Sequence, residues 1–228
     1  MSDWALRLVH EGHSGVVLER PGRRIRFDPC TELAHDDIAV LTGIDPFAPE
    51  RTVGFPSVVK ANGSGEVYTE VDGVQFEGIP YSPPTPDRHR TRIMAAIKQP
   101  GGAVRRWVAK RRPGVATVWH LTFPSGDRLL HLGLALHSEM DVGWAANLVT
   151  RFGGARWLIV GAPYGEDDAI ASRIPAFAAQ HVMVADVEGD LRREAGRPTS
   201  LVTPLVDRLE SSGVPVMVFV PQSSIRFE

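Results

Sequence analysis

Apolar positions in the first third of the chain come in short runs broken by turn-formers, which predicts strands rather than helices. Trp4 to Val9 and Gly15 to Glu19 are β-rich, and the Pro21-Gly22 turn leads into Arg24-Ile25-Arg26-Phe27, which alternates with period two. Ile38 to Leu41 is a continuous apolar run, the pattern of a strand buried on both faces. Val71-Asp72-Gly73-Val74-Gln75-Phe76 predicts two strands joined by an Asp-Gly turn. Residues 116–123 and 128–132 flank Ser125-Gly126-Asp127 and predict a hairpin. The last third changes rhythm: strands over 156–160, 181–185 and 214–220 enclose helices over 167–179, with Asp167 or Asp168 near its start, and 199–211, opened by Thr199. Hairpins followed by β-α-β-α-β predict an α/β (α+β) fold, with two mixed β-sheets packed face to face and helices outside.

Composition narrows the function classes. The 228 residues are 43% hydrophobic and 23% charged, ordinary for one folded globule. A single cysteine, Cys30, excludes an intramolecular disulfide and any multi-thiolate metal site. No signal-like segment and no membrane-length apolar run occurs, so a cytoplasmic location is expected.

Several segments, in order, resemble the metallo-β-lactamase superfamily, most closely its L-ascorbate-6-phosphate lactonase-like, metal-dependent hydrolases. Val9 to Glu19, with Gly12-His13-Ser14-Gly15 at its turn, resembles the family's opening strand-turn-strand. Arg24 to Pro29 resembles the following strand, which ends in Asp-Pro, and Asp37 to Thr42 the strand that delivers the metal motif. Gly126 to Gly133 and Arg156 to Pro163 resemble later strands. The resemblance implies a four-layer αββα sandwich, a single domain over 1–228 with a basic helical insertion at about 83–113.

It also implies a zinc site that these residues do not supply. In active relatives the threonine is followed by H-x-H-x-D-H, imidazoles and carboxylate that converge on zinc and leave an open position for hydroxide. Here Gly43, Asp45, Phe47 and Ala48 stand at those places. The third histidine should follow Gly78-Ile79-Pro80, where Tyr81-Ser82 occurs, and the bridging aspartate should follow Gly133, where Leu134 occurs. The terminal histidine is replaced by Asp186-Val187-Glu188. No metal ligands, no catalytic set and no cofactor are therefore assigned. His13 and Asp28 match family positions beside the metal; without one, Asp28 is expected to cap turn amides. The cleft after Thr42 is expected to be narrower and more apolar than in active relatives.

Other residues also admit blander roles. Asp28, Asp45, Asp186 and Glu188 could gather around a hard cation, but lack a matching spacing. Ser14 beside His13 is not a nucleophile elbow. His137, Glu139 and Asp141 could line a pocket, although Ser138 also suits a helix N-cap with Asp141 three residues on. Cys30 reads as a small buried apolar residue. Between Arg88 and Arg112 lie nine Lys/Arg and no acid. Removing those nine positive charges from the net −2 leaves −11 on the rest. Arg105, Arg106, Lys110, Arg111 and Arg112 surround an apolar stripe of Val104, Trp107 and Val108, a pattern that suits weak contact with a polyanion, phospholipid or nucleic acid, or a solvated helix face.

Three functions stay open: a metal-free pseudo-enzyme that binds an unknown small molecule or protein partner, a hydrolase with a rebuilt site, and an anionic-surface contact. The candidate cleft residues are His13, Asp28, Thr42, Asp45 and Asp186.

Overall fold

The computed structural model describes residues 7–12, 15–20, 22–29, 31–42, 52–60, 65–81, 116–133, 140–161, 167–185, 203–219 and 224–226. Within them the chain runs β1 (Arg7–Gly12), β2 (Gly15–Arg20), β3 (Arg23–Phe27), β4 (Asp37–Leu41), β5 (Val58–Lys60), β6 (Val67–Val71), β7 (Val74–Tyr81), β8 (Ala116–Thr122) and β9 (Arg128–Gly133). Then follow α1 (Val142–Phe152), β10 (Trp157–Gly161), α2 (Asp167–Ala171), a 3-10 turn (Ile174–Phe177), β11 (His181–Ala185), α3 (Thr203–Ser211), β12 (Val216–Phe219) and β13 (Ser224–Arg226).

The strands form two mixed sheets, ordered β13-β1-β2-β3-β4-β5 and β12-β11-β10-β9-β8-β7-β6. The predicted hairpins occur with the expected turns: Asp72 and Gly73 both take positive φ (53° and 75°), the pair of left-handed residues that a two-residue hairpin loop needs. β9, β10, β11 and β12 are parallel, as the β-α-β-α-β reading requires.

Period two on each strand divides the apolar side chains between two cores. Leu18, Ile25, Phe27, Ile38 and Val40 meet Phe76, Trp119, Leu121, Leu129, Ile159 and Met183 between the sheets. Leu130, Leu132, Leu158, Val160, Val182 and Val184 face the other way and are covered by Leu148 of α1, Ile170 of α2, Ile174 and Phe177 of the 3-10 turn, and Leu205 and Leu209 of α3. β4 is buried at all five positions, which is why its sequence shows no alternation. All helices among the described residues lie outside the seven-stranded sheet; a helical layer on the other outer face, and the segment 83–113, fall outside the described residues.

Two predicted elements differ in detail. The helix expected over 167–179 is α2 followed by a separate 3-10 turn, because Pro175 has no N–H to continue the α-helical ladder and Ala178 takes a left-handed φ of 48°. The cap of α1 is Asp141 rather than Ser138: its carboxylate accepts from Gly143 N–H at 2.8 Å. The helix that ends at Ser211 begins, among the described residues, at Thr203; Thr199 lies outside them.

The connection from β3 to the parallel β4 is short and, where described, contains no helix. Alternation turns Ile25 and Phe27 to the inter-sheet core and Arg26 to the opposite face, where its guanidinium is nonetheless 1% exposed. It donates to Glu32 O at 2.7 Å, to Thr31 O at 3.3 Å, to the Thr31 hydroxyl, and to Asp37 Oδ2 at 2.9 Å. Asp37 also accepts from Arg24 Nε at 2.7 Å and Ala34 N–H at 2.8 Å. Burial pushes the Asp37 carboxyl up, and the hydrogen bonds from Arg24, Arg26 and Ala34 more than offset it, so it stays below the ordinary aspartate value. This charged clasp holds the strap 31–36 across the sheet in place of a crossover helix.

Candidate functional site

β3 and β4 run parallel, so the residues immediately after them, Asp28 and Thr42, arrive side by side. Asp28 N–H continues the ladder to Val40 O at 2.9 Å. Thr42 N–H donates to Asp28 Oδ1 at 2.9 Å and the Thr42 hydroxyl donates to Oδ2. Both residues are fully buried. Asp28 has a φ of +42°, a left-handed conformation that costs a non-glycine residue about 1 kcal/mol. The two charge-assisted bonds to Thr42 offset it.

The same end of β4 is tied to the second sheet. Thr42 O accepts from Thr117 N–H at 2.8 Å, and Leu41 O accepts from the Trp119 indole N–H at 3.0 Å. Trp119 crosses the inter-sheet core, fully buried, and it pairs with Gly78 on β7. A Cβ on Gly78 would lie 2.8 Å from two Trp119 ring carbons, so the glycine makes room for the indole.

On the neighbouring β9, His131 faces the same core and stacks on Phe27 with ring centroids 4.4 Å apart and planes 17° apart. Among the described residues neither ring nitrogen has a hydrogen-bond partner outside the histidine's own backbone. Burial pushes its pKa down to about 4, so the imidazole is neutral. His120, one position back on β8 from Leu121, faces the helices instead. It stacks on Phe152 and bonds Glu77 Oε2 through Nδ1 at 2.9 Å, and burial lowers its pKa despite that carboxylate.

Asp28 and Thr42 are thus brought together, at the end of the sandwich where β9, β10 and β11 also finish. His13, Asp45 and Asp186 lie outside the described residues. So do Cys30, His137, Glu139, Glu188, the loop 43–48 whose cleft was expected to be narrow, and Arg105, Arg106, Lys110, Arg111 and Arg112. Sequence reasoning did not single out Thr117, Trp119, Gly78 or His131. The available signals were a tryptophan in a strand opposite a glycine, and a histidine at an inward-facing position of β9.

Positions 43, 45, 47, 48, 134 and 186, where the resemblance would place most of the zinc ligands, lie outside the described residues. Both carboxylate oxygens of Asp28 accept from Thr42, and His131 is stacked in the apolar core. Among the described residues no group of three or more His, Cys, Asp or Glu could hold a metal ion. The arrangement fixes the ends of β3 and β4 and joins the two sheets there. No helix among the described residues is long and apolar enough to cross a membrane.

No protein-family model matches the chain, and a search of curated proteins found no match. Solved structures do match. Igni18, a metallo hydrolase from the hyperthermophilic archaeon Ignicoccus hospitalis, is 14% identical with a TM-score of 0.59, covering 98% of this chain and 99% of that one. The isothiocyanate hydrolase from Delia radicum gut bacteria is 11% identical with a TM-score of 0.56 over 97% and 99%. The metallo-β-lactamase fold protein YhfI from Bacillus subtilis is 7% identical with a TM-score of 0.52 over 98% and 99%. At these identities the likeness is one of fold: two mixed sheets and their helices are arranged as in the metallo-β-lactamase superfamily.

Proposed function

We propose that the chain is a metal-free pseudo-enzyme of the metallo-β-lactamase fold, derived from the lactonase-like branch, and that it works in the cytoplasm as a binding or regulatory module. The observation that carries the reading is the locked pair of Asp28 and Thr42. In a metal site of this fold, an aspartate so placed serves to orient ligands; here both its oxygens hold Thr42, and the sequence beyond Thr42 offers Gly43, Phe47 and Ala48 at three of the four ligand places. The candidate residues His13, Asp45 and Asp186 are assigned to contact with the small molecule or protein partner, and the buried pair of Asp28 and Thr42 to the framework of the site.

Elemental analysis of purified protein, joined to thermal melts with and without chelator, tests this. The expected result is substoichiometric zinc and a midpoint unchanged to within about 1 °C, since no metal-binding energy is part of the folding energy. One bound zinc or iron per chain, or a fall of many degrees on chelation, would overturn the proposal in favour of a hydrolase with a rebuilt site.

A further inference from the structure

At the opposite end of the sandwich, where β9, β10 and β11 begin, the chain forms a second concavity that the reading above does not use. It has a volume of about 300 Å³ and is lined by Asp127, Arg128, Gly154, Arg156, Gln180 and His181, with almost wholly polar walls. The charges do not cancel. Asp127 is saturated: Oδ1 accepts from Arg156 at 2.9 Å and Oδ2 from the Ser125 hydroxyl at 2.9 Å. Arg156 lies over the Trp157 ring, its Cζ 4.7 Å from the centroid. Arg128 has no ion-pair partner among the described residues. Its Nη1 lies where a Cβ on Gly153 would come within 2.2 Å, so a glycine at 153, at a φ of +78°, is what lets the guanidinium lie there.

We propose that this concavity binds a small oxyanion of the phosphate class. Arg128 supplies the uncompensated charge and a planar fork of donors, the geometry that matches tetrahedral oxyanions. Gln180 and His181 add amide and ring N–H donors from the start of β11, and Arg156 closes the far side. The volume is at the small end of ligand pockets, about 300–1,000 Å³, which favours a compact anion over an extended one.

The test is titration of isotope-labelled protein with inorganic phosphate, against sodium chloride at matched ionic strength. Saturable amide shifts centred on Arg128, Gln180 and His181 are expected. Affinity should fall about tenfold or more in Arg128→Gln, severalfold in Gln180→Ala, and not at all in Arg23→Gln, which removes a cation paired with Asp72 elsewhere. Should Arg128→Gln fail to fold by circular dichroism, Gln180→Ala decides alone. The absence of saturation, equal affinity in Arg128→Gln and Arg23→Gln, or an unchanged affinity in Gln180→Ala with Arg128→Gln unfolded, would overturn the proposal.

Discussion

His131 gives the sharpest handle on the inter-sheet core. Its imidazole is 1% exposed, stacked on Phe27, and among the described residues has no partner outside its own backbone for either nitrogen. Protonation therefore places an unpaired charge between the sheets, and burial holds the folded pKa at about 4 against an ordinary value of 6.5. The folded state excludes the proton that the unfolded chain accepts. The stability contributed by the neutral ring is thus intact above pH 6.5 and is lost as pH falls through the window down to about 4. A shift of that size corresponds to about 3 kcal/mol, of which roughly 2–3 kcal/mol is gone by pH 4.5. His131→Leu keeps similar volume and cannot charge. At neutral pH it loses ring stacking worth about 0.5–1.5 kcal/mol but no longer buries unpaired polar nitrogens, which cost about 1–3 kcal/mol. The variant should consequently be of similar or greater stability at pH 7.5. Urea unfolding of both proteins at pH 7.5, 6.5, 5.5 and 4.5 separates this effect from all other titrations, since His120 and the carboxylates are common to both. The variant's advantage should grow by about 2–3 kcal/mol from the first pH to the last. Parallel stability curves across that range would refute the argument, because they would mean that the buried ring carries its proton or finds a partner on folding.

Other changes follow from the same contacts. Gly78→Ala drives a methyl into the Trp119 ring and should cost about 1–3 kcal/mol in chemical denaturation, together with a change in tryptophan emission as the indole moves. Asp37→Asn strips the carboxylate from the buried Arg26 and should cost about 3–5 kcal/mol in the same assay. Thr42→Val leaves Asp28 Oδ2 without its hydroxyl donor and should lower stability by about 1–3 kcal/mol; an unchanged midpoint would show that the hydroxyl bond is dispensable.

What could be read in the sequence was whatever depends on near neighbours. The Asp72-Gly73 turn is fixed by two residues that tolerate positive φ, and the burial of β4 on both faces is written in the unbroken run Ile38 to Leu41. The short strands β5 and β13, each three residues long, carry too little pattern to stand out, and they exist because β4 and β1 offer them an edge. Helix α1 shows in the sequence as a candidate N-cap at Ser138 and as Val142, Ala145, Leu148 and Phe152 at helical spacing, but its cap lies three residues later, at Asp141. At the candidate site, the alignment of Asp28 with Thr42 follows from two strands being adjacent and parallel. The bonds from Thr117 and Trp119 depend on how one sheet is set against the other. No local rule encodes either, so the motif-like residues were found and the framework that holds them was not.

The pairing of β1 with β13 has a consequence for how the molecule comes into being. Arg7 lies opposite Arg226 and Val9 opposite Ser224, so one strand of the first sheet must wait for a partner made almost a whole chain later. During synthesis at about 5–20 residues per second, the outer edge of β1 stays open for at least ten seconds or so after its emergence, a bare edge able to recruit a neighbouring nascent chain. Contacts of such sequence separation also slow the search for the native state. The step that completes this sheet is therefore a late one, and chaperone demand should concentrate before it.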